Sequence, residues 1–310
     1  MTGNKDQRAI RLEGVRTQGA GHPLGPLDAE IPSGLVTAVV GPNGSGKSTL
    51  FRTLLGLEPI REGAAFVLES PVLPDSSETY KARIGFLAEN PHPGDDRLTT
   101  REKASFASLW YPDWNEIRYR ELLSRFGIDD TVTLSKLSKG MRRKAELAVA
   151  MAHEPELLLL DEPSSGLDPF AWKIMLEELQ RYMEPGDRTL LLSSHVTEEV
   201  KRMADCILFM NGGRILGLFE KDRLFDEWRS LLIRGPAGGE KDLELLAKLP
   251  GWRQASYAGS GLCRVETDAM GKEDGYLQSC GFHVLESRRM ELEDILNCLI
   301  VKEDNNSESA

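Results

Sequence analysis

A glycine-rich segment that directly follows an apolar run constrains this chain more than any other feature. The apolar residues 35–40 predict a buried strand, and the sequence GPNGSGKST follows it at 41–49. Apolar residues at helical spacing over 48–57 predict a helix that begins inside this segment. The segment satisfies the pattern G-x-x-x-x-G-K-[ST] between a strand and a helix, the context that separates a phosphate-binding loop from a chance match. Backbone N–H groups and the positive end of the helix dipole then converge on phosphate oxygens.

This phosphate loop is the first candidate site, a nucleotide site. Its residues are Gly41, Pro42, Asn43, Gly44, Ser45, Gly46, Lys47, Ser48 and Thr49. The Lys47 ammonium group is expected to contact the β and γ phosphates, and the Ser48 hydroxyl to ligate Mg²⁺. A glycine turn that only caps a helix is the alternative interpretation, and it does not account for the full pattern in this context.

Two carboxylates end a second apolar run. Four leucines at 157–160 are followed by Asp161 and Glu162. Because open α/β sheets bind ligands at the carboxyl ends of their strands, Asp161 is placed to hold Mg²⁺ and Glu162 to orient or deprotonate the attacking water. Capping of the next helix would explain Asp161 but not Glu162.

Alternating patterns predict the fold class and the domains. Short apolar runs separated by helical patterns indicate an α/β fold whose mostly parallel sheet is covered on both faces. The first domain is predicted over residues 1–217. The sequence pattern changes after residue 217, and strand and helix patterns predict a small α+β unit over 218–303. The last residues, 304–310, are polar and acidic and are expected to be disordered.

Three further motifs give residues 10–217 a family resemblance. The sequence LSKGM at 137–141 precedes the acidic pair, SSGLD at 164–168 follows it, and His195 closes the run LLLSSH. In this order, together with the phosphate loop, these motifs resemble an ATP-binding subunit of an ABC transporter. The resemblance implies the P-loop ABC ATPase fold, with an N-terminal antiparallel β part and a helical subdomain at about 90–152.

The resemblance also implies roles for residues outside the phosphate loop. ABC ATPases form head-to-tail dimers that sandwich two ATP molecules, with Mg²⁺, and hydrolyse them. Ser138 and Gly140 would face the γ-phosphate bound by the partner subunit, and Asp168 would link the two sites. His195 would contact the γ-phosphate and position the water together with Glu162.

The signature motif departs from the commoner LSGGQ. Lys139 and Met141 make it similar to the motif of ATPases paired with ABC-2 type permeases. Two interpretations of Lys139 stay open, a charge-assisted contact with the partner-bound phosphate and a solvated lysine at a helix start. The run Arg142, Arg143 and Lys144 has the same two interpretations, a solvated helix face or a contact with phosphate or acid.

Two other positions differ from the family pattern. Glu89 stands where the family has a metal-binding glutamine, and a glutamate still ligates Mg²⁺ while adding negative charge; an ordinary solvated acid is the alternative. The adenine-stacking aromatic would fall near Thr17 or Gln18, and neither is aromatic. His22 is the nearest ring, and its alternative interpretation is a surface loop residue.

The net charge and the length of the apolar runs indicate which partners and which location to expect. The net charge is −11, which disfavours nucleic acid and anionic lipid as partners. No apolar run approaches the ~18 residues of a membrane span, so no direct membrane insertion is expected. We expect a cytoplasmic ATPase that is peripheral on the inner face of the cell membrane through a separate integral-membrane permease of the ABC-2 export class. It is expected to pair as a homodimer, or as a heterodimer with a related subunit.

Alternatives to this function have identifiable sequence features. A non-transport ABC ATPase acting in translation or DNA maintenance would carry a second ATPase module or long coiled coils between Lys47 and Ser138, for which this chain has no room. A binding module without hydrolysis is disfavoured by the joint presence of Lys47, Asp161, Glu162 and His195. The aromatic cluster Trp110, Tyr111 and Trp114 is either an interface anchor or the core of the helical subdomain.

Overall fold

The computed structural model describes residues 7–18, 23–73, 80–237, 240–269 and 274–308. The chain divides into two compact units, Met1–Leu218 and Phe219–Ala310. The division lies one residue beyond residue 217, where the sequence analysis ended the first domain.

The first unit alternates strands and helices. In chain order its elements are β1 (Arg8–Thr17), β2 (Leu27–Pro32), β3 (Val36–Val40), α1 (Lys47–Leu54), β4 (Ile60–Val67), β5 (Ser70–Pro71), β6 (Ile84–Leu87), α2 (Thr100–Ala107), α3 (Glu116–Phe126), α4 (Lys139–Met151), β7 (Leu157–Leu160), α5 (Pro169–Met183), β8 (Thr189–Ser193), α6 (Thr197–Met203), β9 (Cys206–Asn211) and β10 (Arg214–Glu220). The last strand, β10, runs across the division between the units.

Two sheets form the first unit. One has the strand order β2-β1-β4-β5, and β1 pairs antiparallel with β2 and β4. The other has the order β10-β9-β3-β8-β7-β6, and its pairs from β9 to β6 are parallel. β3, β7 and β8 are buried at every residue, as expected for parallel strands covered on both faces. The predicted α/β class with an N-terminal antiparallel part is therefore confirmed.

The range predicted as a helical subdomain holds α2, α3 and α4. The start of α2 is fixed by a capping box, in which the Thr99 hydroxyl accepts from the N–H of Glu102 and the Glu102 carboxylate accepts from the N–H of Thr99. α3 ends at Gly127, which has the left-handed φ of 65° that favours glycine. Ser138 caps the start of α4 by accepting from the N–H of Met141.

The second unit is a small α+β fold with its own core. Its elements are α7 (Lys221–Glu227), β11 (Arg229–Arg234), α8 (Glu240–Leu246), β12 (Trp252–Gly259), β13 (Leu262–Thr267), α9 (Asp274–Ser279), β14 (His283–Arg289) and α10 (Leu292–Glu308). The antiparallel strand order is β12-β13-β11-β14. With α8 and α9 as the crossovers, this is the split βαβ arrangement of ferredoxin-like folds. The core contains Leu231, Ile233, Leu246, Cys263, Val265, Leu277 and Phe282.

The final helix is longer than the sequence analysis predicted. α10 extends to Glu308 and so includes residues 304–308 of the segment 304–310 that was expected to be disordered; residues 309 and 310 lie outside the described residues. Its first turns carry apolar residues at helical spacing, such as Ile295 and Leu299, which are buried, and the helix continues from them into polar sequence. Among the helices of the described residues, none has both the length and the apolar character needed to cross a bilayer.

Candidate nucleotide site

Four parallel strands end at one edge of the central sheet and bring the predicted site residues together. The segments that follow β3, β6, β7 and β8 carry Gly41, Glu89, Asp161 and His195. A cavity of about 310 Å³ lies at this edge. It is lined by Asn43, Gly44, Gly46, Lys47, Ser48, Thr49, Glu89, Glu162, Ser165 and His195. Residues predicted from four separate motifs thus surround one cavity, at the strand ends where open α/β sheets bind ligands.

The phosphate loop makes a tight turn into α1. Gly46 precedes the helix with φ of 103°, a left-handed conformation that favours glycine. A side chain at Gly41 would collide with the carbonyl oxygen of Met210 on β9. Lys47 is buried, and its Nζ atom donates to the carbonyl oxygens of Gly41, at 2.8 Å, and Pro42, at 3.2 Å. The loop therefore curls around its own lysine at the start of the helix.

The carboxylate of Glu162 lies between a histidine and a lysine. His195 Nδ1 is 2.7 Å from Glu162 Oε2, and Lys47 Nζ is 3.9 Å from Glu162 Oε1. The Glu162 side chain is 8 % exposed and that of His195 is 61 % exposed. A neutral imidazole that donates from Nδ1 leaves Nε2 as an acceptor. The pair thus joins a sheltered carboxylate to a ring that solvent reaches.

Ser193, the last residue of β8, connects the two acids, and the sequence analysis did not single it out. Its hydroxyl donates to Asp161 Oδ1 at 2.7 Å and accepts from the N–H of Glu162 at 2.9 Å. Ser193 is fully buried, so both bonds are sheltered from water. Its position directly before Ser194 and His195 in the run LLLSSH was the signal in the sequence.

Glu199 is a second residue near the site that the sequence analysis missed. Its carboxylate accepts from the Ser194 hydroxyl at 2.8 Å and from the Ser164 hydroxyl. Burial is the main cause that raises the pKa of Glu199, and the neighbouring Glu162 carboxylate adds to it. Glu199 therefore connects the segment after Glu162 with the segment that carries His195.

The basic run on α4 does not form one surface. Arg142 pairs with Asp96 at 2.6 Å and Glu146 at 3.2 Å, and the Lys144 ammonium donates to a backbone carbonyl of α3. Arg143 is 3 % exposed and contacts backbone carbonyls around the cavity. Of the two interpretations left open by the sequence, contact with acid holds for Arg142, and neither holds for Arg143.

The signature residues lie at the start of α4, beside the segment that follows Glu162. Among the described residues, the cavity lining does not include Ser138, Lys139 or Gly140. Lys139 is exposed, and its Nζ atom is 3.4 Å from the hydroxyl of Ser165, which does line the cavity. The lysine side chain also lies over Gly166, where a Cβ atom would meet its Nζ at 2.6 Å.

Asp168 and Glu89 have local contacts of their own. Asp168 caps α5, since its Oδ1 accepts from the N–H groups of Phe170 and Ala171, both at 2.9 Å. Glu89 lines the cavity with its side chain half-buried, and its backbone carbonyl accepts from Arg143 at 2.9 Å.

Among the described residues, Thr17 and Gln18 stand near the expected adenine-stacking position, and neither is aromatic. Thr17 is buried, and its hydroxyl accepts from the N–H of Leu24 at 3.1 Å. Gln18 follows at the exposed end of the strand. His22 lies outside the described residues.

A second cavity, of about 450 Å³, lies between β6 and the helices α2 and α4. Its apolar lining includes Phe106 and Trp110, which are 62 % and 57 % exposed. Tyr111 also lines it and stacks on buried His153 with ring centroids 3.8 Å apart. Trp114 instead packs against Tyr119 of α3. The aromatic cluster thus divides between an exposed groove and the core of the helical segment.

Comparisons with known proteins agree with this geometry. The family model of ABC transporters matches residues 24–165. The Nod factor export ATP-binding protein I of Sinorhizobium fredii is 33% identical over 237 residues, which are 73% of this chain and 67% of that protein. The ABC transporter ATP-binding protein NatA of Bacillus subtilis is 32% identical over 219 residues, 66% of this chain and 88% of that protein.

A solved structure of the ATP binding subunit of an ABC transporter has the same fold as the first unit. It matches with a TM-score of 0.63 and 27% sequence identity, covering 70% of this chain and 92% of that one. Proteins of this family bind ATP, work as dimers with membrane permeases and hydrolyse ATP to power transport. On its sequence and its fold, this chain belongs to the family of ABC transporter ATP-binding subunits.

Proposed function

We propose that this chain hydrolyses ATP to drive export through a separate integral-membrane permease of the ABC-2 type. The observation that carries the proposal is the contact of 2.7 Å between His195 Nδ1 and Glu162 Oε2, at a cavity lined by the phosphate loop. The LSKGM signature and the similarity to a Nod factor export ATP-binding protein favour the export direction.

Each side chain in the cavity has a task in this proposal. Lys47 and the N–H groups at the start of α1 bind the ATP phosphates. Glu162 accepts a proton from the attacking water, and its carboxylate is buried beside Lys47. His195 holds one oxygen of that carboxylate, so the other oxygen is left to contact the water.

The donor set at the cavity fits Mg²⁺, which prefers oxygen ligands and is bound by one or two carboxylates together with substrate phosphates. Ser48 and Glu89 both line the cavity, and Asp161 follows β7 at the same edge, held by Ser193. Within the described residues no three His, Cys, Asp or Glu side chains form a metal site by themselves. Ser48, Asp161 and Glu89 would hold the ion against the phosphates, where it neutralises charge that develops during transfer.

The dimer in this proposal is head-to-tail. Ser138, Lys139 and Gly140 face the nucleotide bound by the other subunit, and Asp168 contacts that subunit between the two sites. These residues lie outside the lining of their own cavity, which agrees with a role across an interface. A homodimer would have two identical sites, and a heterodimer would pair this chain with a related ATPase subunit.

The groove of 450 Å³ is the proposed docking site for the permease. Phe106 and Trp110 provide large exposed apolar surfaces there, a property of interface anchors. Lys103, at the same groove, is paired with Asp95 at 2.8 Å and Glu146 at 3.6 Å. Through this contact the chain would be peripheral on the inner face of the membrane.

Co-expression with a multi-spanning membrane protein encoded beside this chain tests the proposal. Purified complexes in lipid vesicles should hydrolyse ATP, and complexes with Lys47→Ala should assemble but fail to hydrolyse it. Trp110→Ala should weaken assembly without changing hydrolysis by the isolated chain. Normal assembly of Trp110→Ala would remove the groove as the docking site, and a neighbouring gene for a nucleic-acid-binding protein with no permease would contradict the transport function.

A further inference from the structure

Arg143 uses every hydrogen-bond donor of its side chain on the backbone around the cavity. A guanidinium group carries five N–H donors: one on Nε and two on each terminal nitrogen. Nε donates to the carbonyl of Pro163, at 3.2 Å. Nη1 and Nη2 each donate to two further backbone carbonyls. The five acceptors are the backbone carbonyl oxygens of Ala88, Glu89, Asp161, Glu162 and Pro163.

These acceptors belong to two segments that meet at the carboxyl edge of the sheet. Residues 88–89 follow β6 and end in the proposed metal ligand Glu89. Residues 161–163 follow β7 and contain both predicted carboxylates. Arg143 itself is on α4, one turn beyond Ser138, so a single side chain joins three elements at this edge.

The backbone of Glu162 has a conformation that is unusual for a residue with a side chain. Its φ is +47°, in the left-handed region that residues other than glycine rarely occupy. Two hydrogen bonds hold the residue there: its N–H donates to Ser193 at 2.9 Å, and its carbonyl accepts from Arg143 at 2.7 Å. Such conformations persist where the surroundings over-determine them, and they concentrate at functional sites.

We propose that Arg143 is a positioning residue for ATP hydrolysis, which holds the backbone of Glu162 in its left-handed conformation and so keeps the carboxylate against His195 and Lys47. The inference rests on the proposed function, since it gives Arg143 an effect through Glu162. Arg143 does not line the cavity among the described residues, so its effect on turnover passes through the backbone it binds.

The chemistry of this contact requires the guanidinium fork. A lysine offers three donors and a glutamine two, so each substitution leaves at least two of the five buried carbonyls without their donor. Lysine keeps the positive charge near Glu89, Asp161 and Glu162, whereas glutamine removes it. Comparing Arg143→Lys with Arg143→Gln therefore separates the geometry of the fork from its charge.

The experiment measures kcat for ATP and the affinity for a fluorescent ATP analogue in the full-length chain. Arg143→Lys and Arg143→Gln should each lower kcat by about 10- to 100-fold, since small displacements of catalytic groups have effects of this size. The Kd for the analogue should stay within about twofold in both variants, because Arg143 does not line the cavity among the described residues. Lys144→Gln, on the same helix and bonded to the Phe126 carbonyl, is the matched control and should keep the parental kcat.

Combination with Glu162→Gln gives the decisive comparison. If Arg143 acts through Glu162, Arg143→Lys should change the residual single-turnover rate of Glu162→Gln by less than about twofold. Equal losses in both backgrounds, a parental kcat in Arg143→Lys, or joint loss of nucleotide binding and of folding in both Arg143 variants would overturn the inference. A parental rate in Glu162→Gln alone would instead remove Glu162 as the base. A parent chain without ATPase activity would overturn the proposed function, so the failures are distinguished.

Discussion

His195 Nδ1 lies 2.7 Å from Glu162 Oε2, while Lys47 Nζ lies 3.9 Å from the other oxygen of the same carboxylate. The three residues come from the segments that follow β8, β7 and β3. The parallel order of these strands places their carboxyl ends side by side. The ring thus holds one oxygen of the acid at hydrogen-bond distance, and the ammonium group lies near the other oxygen without a hydrogen bond.

Replacing the ring tests how far Glu162 depends on it. His195→Ala should lower kcat by about 10²-fold, because the Glu162 carboxylate loses the partner that orients it. ATP affinity should change much less, since the phosphate loop is intact. His283→Ala, at an exposed position on β14 of the second unit, is the control and should be parental. A His195→Ala protein with parental turnover would show that the imidazole is not needed.

The charge of Glu89 should appear in the metal dependence of turnover. Glu89→Gln keeps an oxygen ligand in the cavity but removes one negative charge beside the proposed ion. The Mg²⁺ concentration for half-maximal ATPase should therefore rise several-fold. Glu184→Gln, an exposed acid after α5, should leave it unchanged. Identical Mg²⁺ titrations of Glu89→Gln and the parent would refute a metal-binding role for Glu89.

Lys139 is expected to strengthen ATP-driven dimerisation. Lys139→Gln removes the charge at the start of α4, so the dimer should dissociate more readily and its affinity should depend less on salt. Lys248→Gln is the matched control, because it removes the same charge from an exposed lysine of the second unit. Sedimentation with ATP at low and high salt measures both effects. Unchanged affinity and unchanged salt dependence in Lys139→Gln would leave a solvated lysine as the interpretation.

Buried His153 should make stability depend on pH. Burial lowers its pKa from 6.5 to about 4. Its Nε2 lies 3.2 Å from the carbonyl of Ile84, and its Nδ1 has no hydrogen-bond partner among the described residues. Between pH 6.5 and about 4 the unfolded chain therefore binds more protons, and the native state loses stability as the pH falls.

The variant His153→Gln isolates this contribution. It lacks the titrating ring and the stacking on Tyr111, so it should be less stable than the parent at pH 7.5. That difference should shrink as the pH falls toward 4, by up to about 3 kcal/mol for a pKa gap of this size. Urea unfolding of both proteins across the pH range measures it. A constant difference would show that His153 titrates alike in both states.

Sequence patterns predicted the strands and the phosphate loop because these depend on local signals. The leucines of β7 predicted a buried strand, and the glycines at 41, 44 and 46 predicted a turn around phosphate. Strand ends could be placed at one edge because parallel strands align their carboxyl ends. The positions of Glu162 and His195 relative to the phosphate loop follow from that rule.

The contacts of Arg143 and Glu199 could not be predicted in the same way. Both depend on segments that are far apart in the chain, and a basic run on a helix is usually a solvated face. Only the approach of α4 to the segments after β6 and β7 gives Arg143 five carbonyl acceptors. Likewise, the polar sequence at 304–310 gave no sign that α10 would continue through Glu308.

The central claim, that Glu162 is the base for ATP hydrolysis, is tested most directly by the steady-state ATPase rate of Glu162→Gln. The amide keeps the size of the side chain but accepts no proton, so turnover should fall by about 10²- to 10⁴-fold while ATP still binds and still drives dimerisation. Glu184→Gln serves as the exposed control. Turnover of Glu162→Gln at the parental rate would contradict the claim.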